Sequence, residues 1–190
     1  DKSLLEGKRI LVTGGGSGLG KEMSRHFLTY GAEVIICGRR DEVLQKTAKE
    51  LADETKGKII AHSLDIRDSL AIEETINNVF DERPLDGLVN NAAGNFISRT
   101  NDLSPNGFNA IASIVFHGTF NMTNTVGKKW IELKQPGTIL SITTTWVWTG
   151  SPFVVPSAMS KSGINAMTKS LAVEWGPHNI RLNCIAPGPF

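Results

Sequence analysis

A glycine-rich segment, Thr13 to Gly20, follows the first apolar run of the sequence and has the spacing of a pyrophosphate-binding turn. We predict that Gly14 makes the turn, that Gly18 lets the backbone approach a pyrophosphate, and that Gly20 lets a helix pack against the strand. Amides at the helix N-terminus would then donate to the phosphates. A tight turn without a ligand is the alternative. The contacts predicted in this loop are Gly14, Gly16, Ser17, Gly18 and Leu19.

The second apolar run ends in Cys37-Gly38-Arg39-Arg40, without an acidic residue. An acidic side chain at this point binds the free 2′-hydroxyl of an adenosine ribose, whereas a guanidinium can pair bidentately with a 2′-phosphate. Arg39 therefore predicts NADP(H) as the cofactor. The alternative is that both arginines are solvated residues before a helix.

Ser157 and Lys161 lie four residues apart in a predicted helix, so their side chains share one face. A hydrolase that used Ser157 with His117 would need a Gly-x-Ser-x-Gly turn, and Ser157 lies instead between Val155-Pro156 and Ala158-Met159. The other histidines have no partners at metal-ligand spacing, so we predict no metal site.

Six apolar runs alternate with amphipathic segments, which predicts a parallel sheet with helices on both faces. The fold class is α/β, a doubly wound Rossmann fold of three α/β/α layers. Ligands bind such sheets at the carboxyl ends of the strands. The predicted strands are 9–13, 34–37, 58–64, 85–89, 138–143 and 180–185. The predicted helices are 18–30, one capped by Asp41, one capped by Asp68, a long one from Ser104-Pro105 towards Leu133, and 157–175.

The composition indicates one globular domain, since 40% of the 190 residues are hydrophobic and 21% are charged. The net charge of +1 gives no electrostatic reason to expect nucleic acid or a membrane surface as a partner. We predict Cys37 and Cys184 to be small core residues in a reducing compartment. No apolar stretch has membrane-spanning length and no signal peptide is recognised. We therefore predict a soluble protein of the cytoplasm or, in a eukaryote, of the mitochondrial matrix or peroxisome.

Several of these features resemble the short-chain dehydrogenase/reductase family across essentially the whole chain. They are the glycine segment, Asn90-Asn91-Ala92-Ala93-Gly94, Lys161 and Pro187-Gly188. The resemblance implies that Lys161 holds the nicotinamide ribose and lowers the pKa of a neighbouring acid. Because the sequence stops at Gly188-Pro189-Phe190, just past a predicted strand, we also expect the intact protein to continue with a part that covers the substrate. The further cofactor contacts are Arg39, Asp65, Ile66, Asn91, Ala92, Gly94, Lys161, Pro187 and Gly188.

The sequence departs from that family where a tyrosine precedes the lysine by four residues. Ser157 stands there, and the only tyrosine of the chain is Tyr30. The 2,4-dienoyl-CoA reductases of the mitochondrial and bacterial type are similar in this respect. In the mitochondrial type a serine also precedes the lysine, and a tyrosine lies where this chain has Trp146. That group also has an asparagine on its long helix, at the position where this chain has His117. The similar segments are 91–98, 103–106, 141–144, 149–151, 153–158 and 172–176.

This resemblance implies an NADPH-dependent reductase of an unsaturated acyl-CoA in fatty-acid β-oxidation, assembled as a homotetramer. One alternative is a 3-oxoacyl or carbonyl reductase of the same family, and another is an inactive NADP-binding scaffold. His117, Trp146 and Trp148 could instead be packed core residues. The implied catalytic residues are Lys161, Ser157, Trp146, His117 and Thr144, and the implied substrate contacts are Arg67, Phe96 and Ser98.

Overall fold

The computed structural model describes residues 1–188 and contains a six-stranded parallel sheet. The strands lie in the order β3-β2-β1-β4-β5-β6, so the chain winds outwards from β1 in one direction and then from β4 in the other. The sheet confirms the predicted doubly wound α/β fold. The strands are β1 (Arg9–Thr13), β2 (Glu33–Gly38), β3 (Ile59–Ser63), β4 (Gly87–Asn90), β5 (Gly137–Ile142) and β6 (Ile180–Ile185).

Helices cover both faces of the sheet. Two helices contact β1, β2 and β3 on one face, whereas the helices that follow β3, β4 and β5 pack on the other. The helices are α1 (Gly18–Thr29), α2 (Asp41–Thr55), α3 (Ser69–Glu82), α4 (Pro105–Ala112), α5 (Thr119–Glu132), α6 (Trp146–Thr149) and α7 (Val155–Glu174). None of the helices within residues 1–188 combines the length and the apolar character needed to cross a membrane.

The apolar core is divided into two layers by the sheet. Along β1, Leu11 belongs to the layer under α3 and α5, whereas Ile10 and Val12 belong to the layer under α1 and α2. Alternate side chains of a strand point to opposite faces, so a strand covered on both sides is apolar throughout. This is why the strands appear in the sequence as unbroken apolar runs.

A buried arginine lies at the opposite end of β1 from the glycine segment. Arg9 is 1% exposed, and its Nε donates to Glu33 at 2.8 Å while its Nη2 donates to Glu82 at 2.7 Å. Its Nη1 also donates to the Val79 carbonyl at 2.6 Å. The pKa of Glu33 is lowered despite its burial, because Lys58 and Arg9 stabilise the carboxylate.

The structure corrects several predicted boundaries. The long helix from Ser104 is divided by a π-helical turn, Ser113–Gly118, between α4 and α5. A Cβ atom on Gly118 would lie 2.7 Å from Ile66, so the glycine permits the close approach of this turn to the loop after β3. The predicted cap Asp41 is the first residue of α2, since it follows the cap residue Arg40.

Other boundaries differ at the ends of elements. The helix predicted at 157–175 is α7, Val155–Glu174, and the short α6 was not predicted. The strand predicted at 85–89 is Gly87–Asn90. The predicted caps Asp68 and Ser104 are confirmed, because their side chains accept hydrogen bonds from Leu70 and Gly107 amides at 3.0 Å each.

Candidate active site

A cavity of about 300 Å³ opens at the carboxyl ends of β1 to β4. The loops after these strands form its walls because parallel strands all end at the same edge of the sheet. The residues that line it are Gly14, Gly16, Ser17, Gly38, Arg39, Arg40, Val43, Leu44, Leu64, Asp65, Ile66, Asn91, Ala92, Ala93 and Ile114.

The glycine segment forms the floor of this cavity. Gly14 has φ +67°, and a Cβ atom there would lie 2.9 Å from the Ala92 backbone. A Cβ atom on Gly20 would clash with the Gly14 carbonyl oxygen, so α1 can pack this closely only with glycine at that position. Gly18, at φ +54°, has open space above it. The loop therefore fits a group that lies directly on the backbone.

The first turn of α1 fits a phosphate. Its N-cap residue, Ser17, makes no side-chain hydrogen bond to the helix, so the amides of the first turn are left for another acceptor. A helix N-terminus carries a partial positive charge and binds anions. The residues present therefore fit a dinucleotide pyrophosphate.

Thr13 and Asn91 fasten the glycine segment to the end of β4. Thr13 Oγ1 accepts hydrogen bonds from the Asn91 and Ala92 amides, both at 3.0 Å. Asn91 Nδ2 donates to the Thr13 carbonyl at 3.0 Å and to the Gly14 carbonyl at 3.3 Å. These bonds connect two loops that are far apart in sequence. We expect Asn91 to support the cofactor site through them.

The ends of β2 and β3 place charged side chains at one side of the cavity. The Leu64 amide donates to the Gly38 carbonyl at 2.8 Å, so the residues that follow, Asp65 and Arg39, are neighbours. Arg39 and Arg40 are both exposed, and neither forms an ion pair within residues 1–188. The guanidinium of Arg39 is therefore available to an anionic ligand.

Lys161 lies beneath the end of β5. It is 7% exposed, and its Nζ donates to the Ile142 carbonyl oxygen. Burial lowers the pKa of Lys161 to about 8, an effect that the neighbouring Cys184 opposes. Ser157, one turn earlier on α7, is 6% exposed. The structure thus places both predicted side chains on one helix face, and that face packs inside the protein.

The other predicted catalytic residues lie around the same end of the sheet. His117 is in the π-helical turn, with its ring edge against Phe116 at a centroid distance of 5.5 Å, and it is exposed. The alternative of a core histidine is therefore wrong. Thr144 and Trp146 follow β5 and are half-buried. Trp148 is 69% exposed, so its interpretation as a core residue is also wrong.

The predicted substrate contacts lie on two loops. Phe96 and Ser98 follow β4, and the Ser98 amide donates to the Phe153 carbonyl at 2.9 Å, which joins this loop to the segment before α7. Phe96 and Phe153 are 41% and 50% exposed. Arg67 follows β3, and its guanidinium pairs with Asp65. Pro187 and Gly188 lie just after β6, which ends at Ile185.

Some cavity residues were not predicted as contacts. Val43 and Leu44 come from α2, and Ile114 comes from the π-helical turn. In the sequence these side chains look like any apolar residue on the buried face of a helix. No local signal separates them from the core, because their role depends on which helix packs beside the glycine segment. Arg40 lies next to the predicted contact Arg39 and could have been included, whereas Ala93 belongs to the segment from Asn91 to Gly94 that the family resemblance already implied.

Comparison with known proteins agrees with this architecture. A family model described as short chain dehydrogenase matches residues 8–190. An uncharacterised oxidoreductase of Caenorhabditis elegans is 47% identical over 98% of this chain and 60% of its own length. A probable 2,4-dienoyl-CoA reductase of the same organism is 45% identical over 98% of this chain and 61% of its own length. The chain thus spans about 60% of the length of these relatives.

A solved structure supports the same assignment. The crystal structure of a short chain dehydrogenase from Bacillus anthracis superposes with a TM-score of 0.93 and 42% identity. The match covers 97% of this chain and 75% of that one. The family model and these similarities extend over the glycine segment, Asn91 and Lys161. The chain belongs to the short-chain dehydrogenase family.

Proposed function

We propose that this protein is an NADPH-dependent oxidoreductase that reduces a carbon–carbon double bond of an unsaturated acyl-CoA, in the manner of a 2,4-dienoyl-CoA reductase. The observation that carries the proposal is the face of α7 at the end of β5. This face carries the buried Lys161 and has Ser157 at the position where the family has a tyrosine. The probable 2,4-dienoyl-CoA reductase from C. elegans supports the choice of substrate class.

The missing phenol disfavours carbonyl reduction. Hydride addition to a ketone leaves an alkoxide, and its oxygen must receive a proton from an acid. A serine hydroxyl is a far weaker acid than a phenol, whose pKa is about 10. Tyr30 cannot substitute, since it follows α1 and its carbonyl binds the amide of Leu5 in the N-terminal segment. Ser157 is therefore a poor proton donor to an alkoxide.

Reduction of a dienoyl thioester has a different requirement. Hydride addition at the δ carbon moves negative charge onto the thioester oxygen and along the carbon chain. Protonation at the α carbon then leaves a (3E)-enoyl product, the kind that the name of the C. elegans relative specifies. Water can supply this proton. The protein must stabilise the oxygen by hydrogen bonds, a function that needs donors rather than a strong acid.

Two side chains could supply these donors. The indole N–H of Trp146 donates but does not release its proton, and His117 can donate from a ring nitrogen. A preorganised donor of this kind stabilises a transition state by about 2.7–4 kcal/mol. Thr144 and Ser157 could add hydroxyl donors. Lys161 would hold the nicotinamide ribose, and its ammonium already has one acceptor in the Ile142 carbonyl.

The cofactor cavity supports NADPH. When bound, the reduced cofactor supplies a hydride. The residues proposed to hold its 2′-phosphate, pyrophosphate and nicotinamide are Arg39, the first turn of α1 and Pro187-Gly188 respectively. We expect NADPH to bind at least about tenfold more tightly than NADH, because one charge-assisted contact contributes about 1.5–3 kcal/mol. Arg39→Ala should remove this preference, and equal affinities in the unmodified protein would refute it. The full set proposed for the cofactor is Gly14, Gly16, Ser17, Gly18, Leu19, Arg39, Asp65, Ile66, Asn91, Ala92, Gly94, Lys161, Pro187 and Gly188.

The proposal extends to the surroundings of the site. Acyl-CoA would lie along Arg67, Phe96 and Ser98, and a part of the protein outside residues 1–190 would cover it, in line with the greater length of the relatives. The reaction would serve fatty-acid β-oxidation. The free thiols of Cys37 and Cys184 support a reducing compartment, cytoplasmic or, in a eukaryote, mitochondrial or peroxisomal.

A homotetramer is proposed through the helices that flank the site. Phe116 and Phe120, on the π-helical turn and α5, are 41% and 49% exposed, and Met159 on α7 is 57% exposed. Exposed apolar side chains on neighbouring helices are typical of an interface between subunits. Light scattering after gel filtration would measure the assembly directly.

The test of the activity is to mix the protein with NADPH and a 2,4-dienoyl-CoA and to follow the loss of nicotinamide absorbance. Trp146→Phe and His117→Ala should each lower kcat by about a hundredfold or more. Trp148→Phe is the matched control, because Trp148 is exposed beside the site, and it should retain normal turnover. Rapid reduction of a 3-oxoacyl-CoA or ketone with an inert dienoyl-CoA would favour a carbonyl reductase. Turnover of neither substrate would favour a binding scaffold.

A further inference from the structure

The cofactor cavity contains a carboxylate next to the place proposed for a phosphate. Asp65 and Arg39 both line the cavity, and the 2.8 Å hydrogen bond from the Leu64 amide to the Gly38 carbonyl brings their backbones together. Arg39 is close enough to contribute to the lowered pKa of Asp65. An unpaired carboxylate here would repel a 2′-phosphate and would also attract the Arg39 guanidinium.

Arg67 forms an ion pair and hydrogen bonds with the Asp65 carboxylate. Its Nε donates to both oxygens of Asp65 at 3.0 Å, its Nη2 donates to Oδ2, and its backbone amide donates to Oδ1 at 3.0 Å. The hydrogen bond from Arg67 is also the main reason that the pKa of Asp65 lies below its ordinary value. Arg67 does not itself line the cavity. Arg67 therefore neutralises the negative charge of Asp65 from a position outside the cavity.

We infer that Arg67 is a specificity-determining residue for NADP(H) because it occupies Asp65 and so leaves Arg39 available to the 2′-phosphate. This inference rests on the proposed preference for NADPH. Arg39 is the cavity residue whose positive charge acts on Asp65, so in the absence of Arg67 we expect these two side chains to pair. A phosphate would then meet a neutralised arginine and a partly exposed carboxylate, whereas the free 2′-hydroxyl of NAD(H) could accept or donate to either group.

The inference does not compete with a contact between Arg67 and CoA. The Nη1 group of Arg67 makes no hydrogen bond in the part of the chain that the structure describes, and the side chain is 45% exposed. Both roles can therefore be tested on the same variant, since one changes the affinity for the cofactor and the other changes the KM for acyl-CoA.

The experiment is titration calorimetry with NADP⁺ and NAD⁺, using the ratio of the two Kd values as the readout. Arg67→Ala should lower the preference for NADP⁺ by about fivefold, as expected for the loss of one partly exposed ion pair. Arg67→Lys keeps the charge and should retain most of the preference. Arg25→Ala is the matched control, because Arg25 pairs with Glu54 on the surface between α1 and α2, and it should leave the ratio unchanged. A ratio is insensitive to the fraction of misfolded protein.

A second variant tests the cause. If the unpaired carboxylate of Asp65 is what weakens NADP⁺ binding in Arg67→Ala, removing its charge should reverse the effect. The double variant Asp65→Asn, Arg67→Ala should therefore recover the preference for NADP⁺ that Arg67→Ala loses. An unchanged ratio in Arg67→Ala, or no recovery in the double variant, would overturn the inference while the preference of the unmodified protein stands. Equal affinities in the unmodified protein would instead overturn the proposed cofactor, and the inference with it.

Discussion

Replacement of Lys161 by methionine is expected to stabilise the protein in the absence of cofactor at pH 7. Burial lowers the pKa of Lys161 from 10.5 to about 8, so the unfolded chain holds the proton more tightly than the folded one. Burying the protonated amine therefore lowers the free energy of unfolding. This penalty is complete below pH 8 and decreases progressively as the pH rises to 10.5. The difference between the two pKa values corresponds to about 3 kcal/mol.

The substitution also removes a favourable contact. Methionine has a similar length and no charge, but it leaves the Ile142 carbonyl without its donor, a loss of about 1 kcal/mol. The net gain is about 2 kcal/mol. For a chain of 190 residues this corresponds to a rise in Tm of about 4–8 °C. The same variant should bind NADPH more weakly and lose turnover, because it lacks the ammonium proposed to hold the nicotinamide ribose. Stability gained at the expense of function is typical of such sites.

Calorimetry and urea unfolding at pH 7 and pH 10 measure this effect. By about pH 10 the gain should have disappeared, since most of the penalty for burying the ammonium is then absent. Lys169→Met is the control, because Lys169 is exposed on the same helix and should change the stability little at either pH. The reasoning is refuted if Lys161→Met is less stable than the unmodified protein at pH 7, or if its gain is the same at pH 10.

Two further predictions concern stability. Glu33→Gln should destabilise the protein by about 3 kcal/mol at neutral pH, since it leaves the buried Arg9 short of a partner. The lowered pKa of Glu33 means that this contribution is present above pH 4.5 and is lost as the pH falls through the folded-state value, so the difference between the two proteins in chemical unfolding should shrink as the pH is lowered below 4.5. Gly137→Ala should cost about 2 kcal/mol in urea unfolding, because the new Cβ atom would meet the Trp130 ring. Gly176→Ala, with nothing within 4 Å, is its control, and equal losses in both would contradict the packing argument.

The sequence by itself determined the fold class and the place of the cavity beside the glycine segment. Apolar runs that alternate with amphipathic segments can bury all their side chains only in a parallel sheet covered on both faces. The glycine segment was recognisable for a similar reason, since Gly14 and Gly20 have no room for a side chain. Both signals can be recognised locally, because the residue types that carry them lie within one strand, one turn or one helix, even though Gly14 has no room because of Ala92 on another loop.

The tertiary structure decided what surrounds that site. The π-helical turn depends on the approach of Gly118 to Ile66, and no pattern within the long helix predicted it. The low pKa of Lys161 depends on its burial beneath β5, and the cavity wall includes Ile114 from a helix about 100 residues after the glycine segment. The charge balance between Asp65 and Arg39 likewise exists only because β2 and β3 are adjacent. Burial, electrostatic fields and close contacts depend on distances in space, and residues remote in sequence become neighbours only when the chain folds.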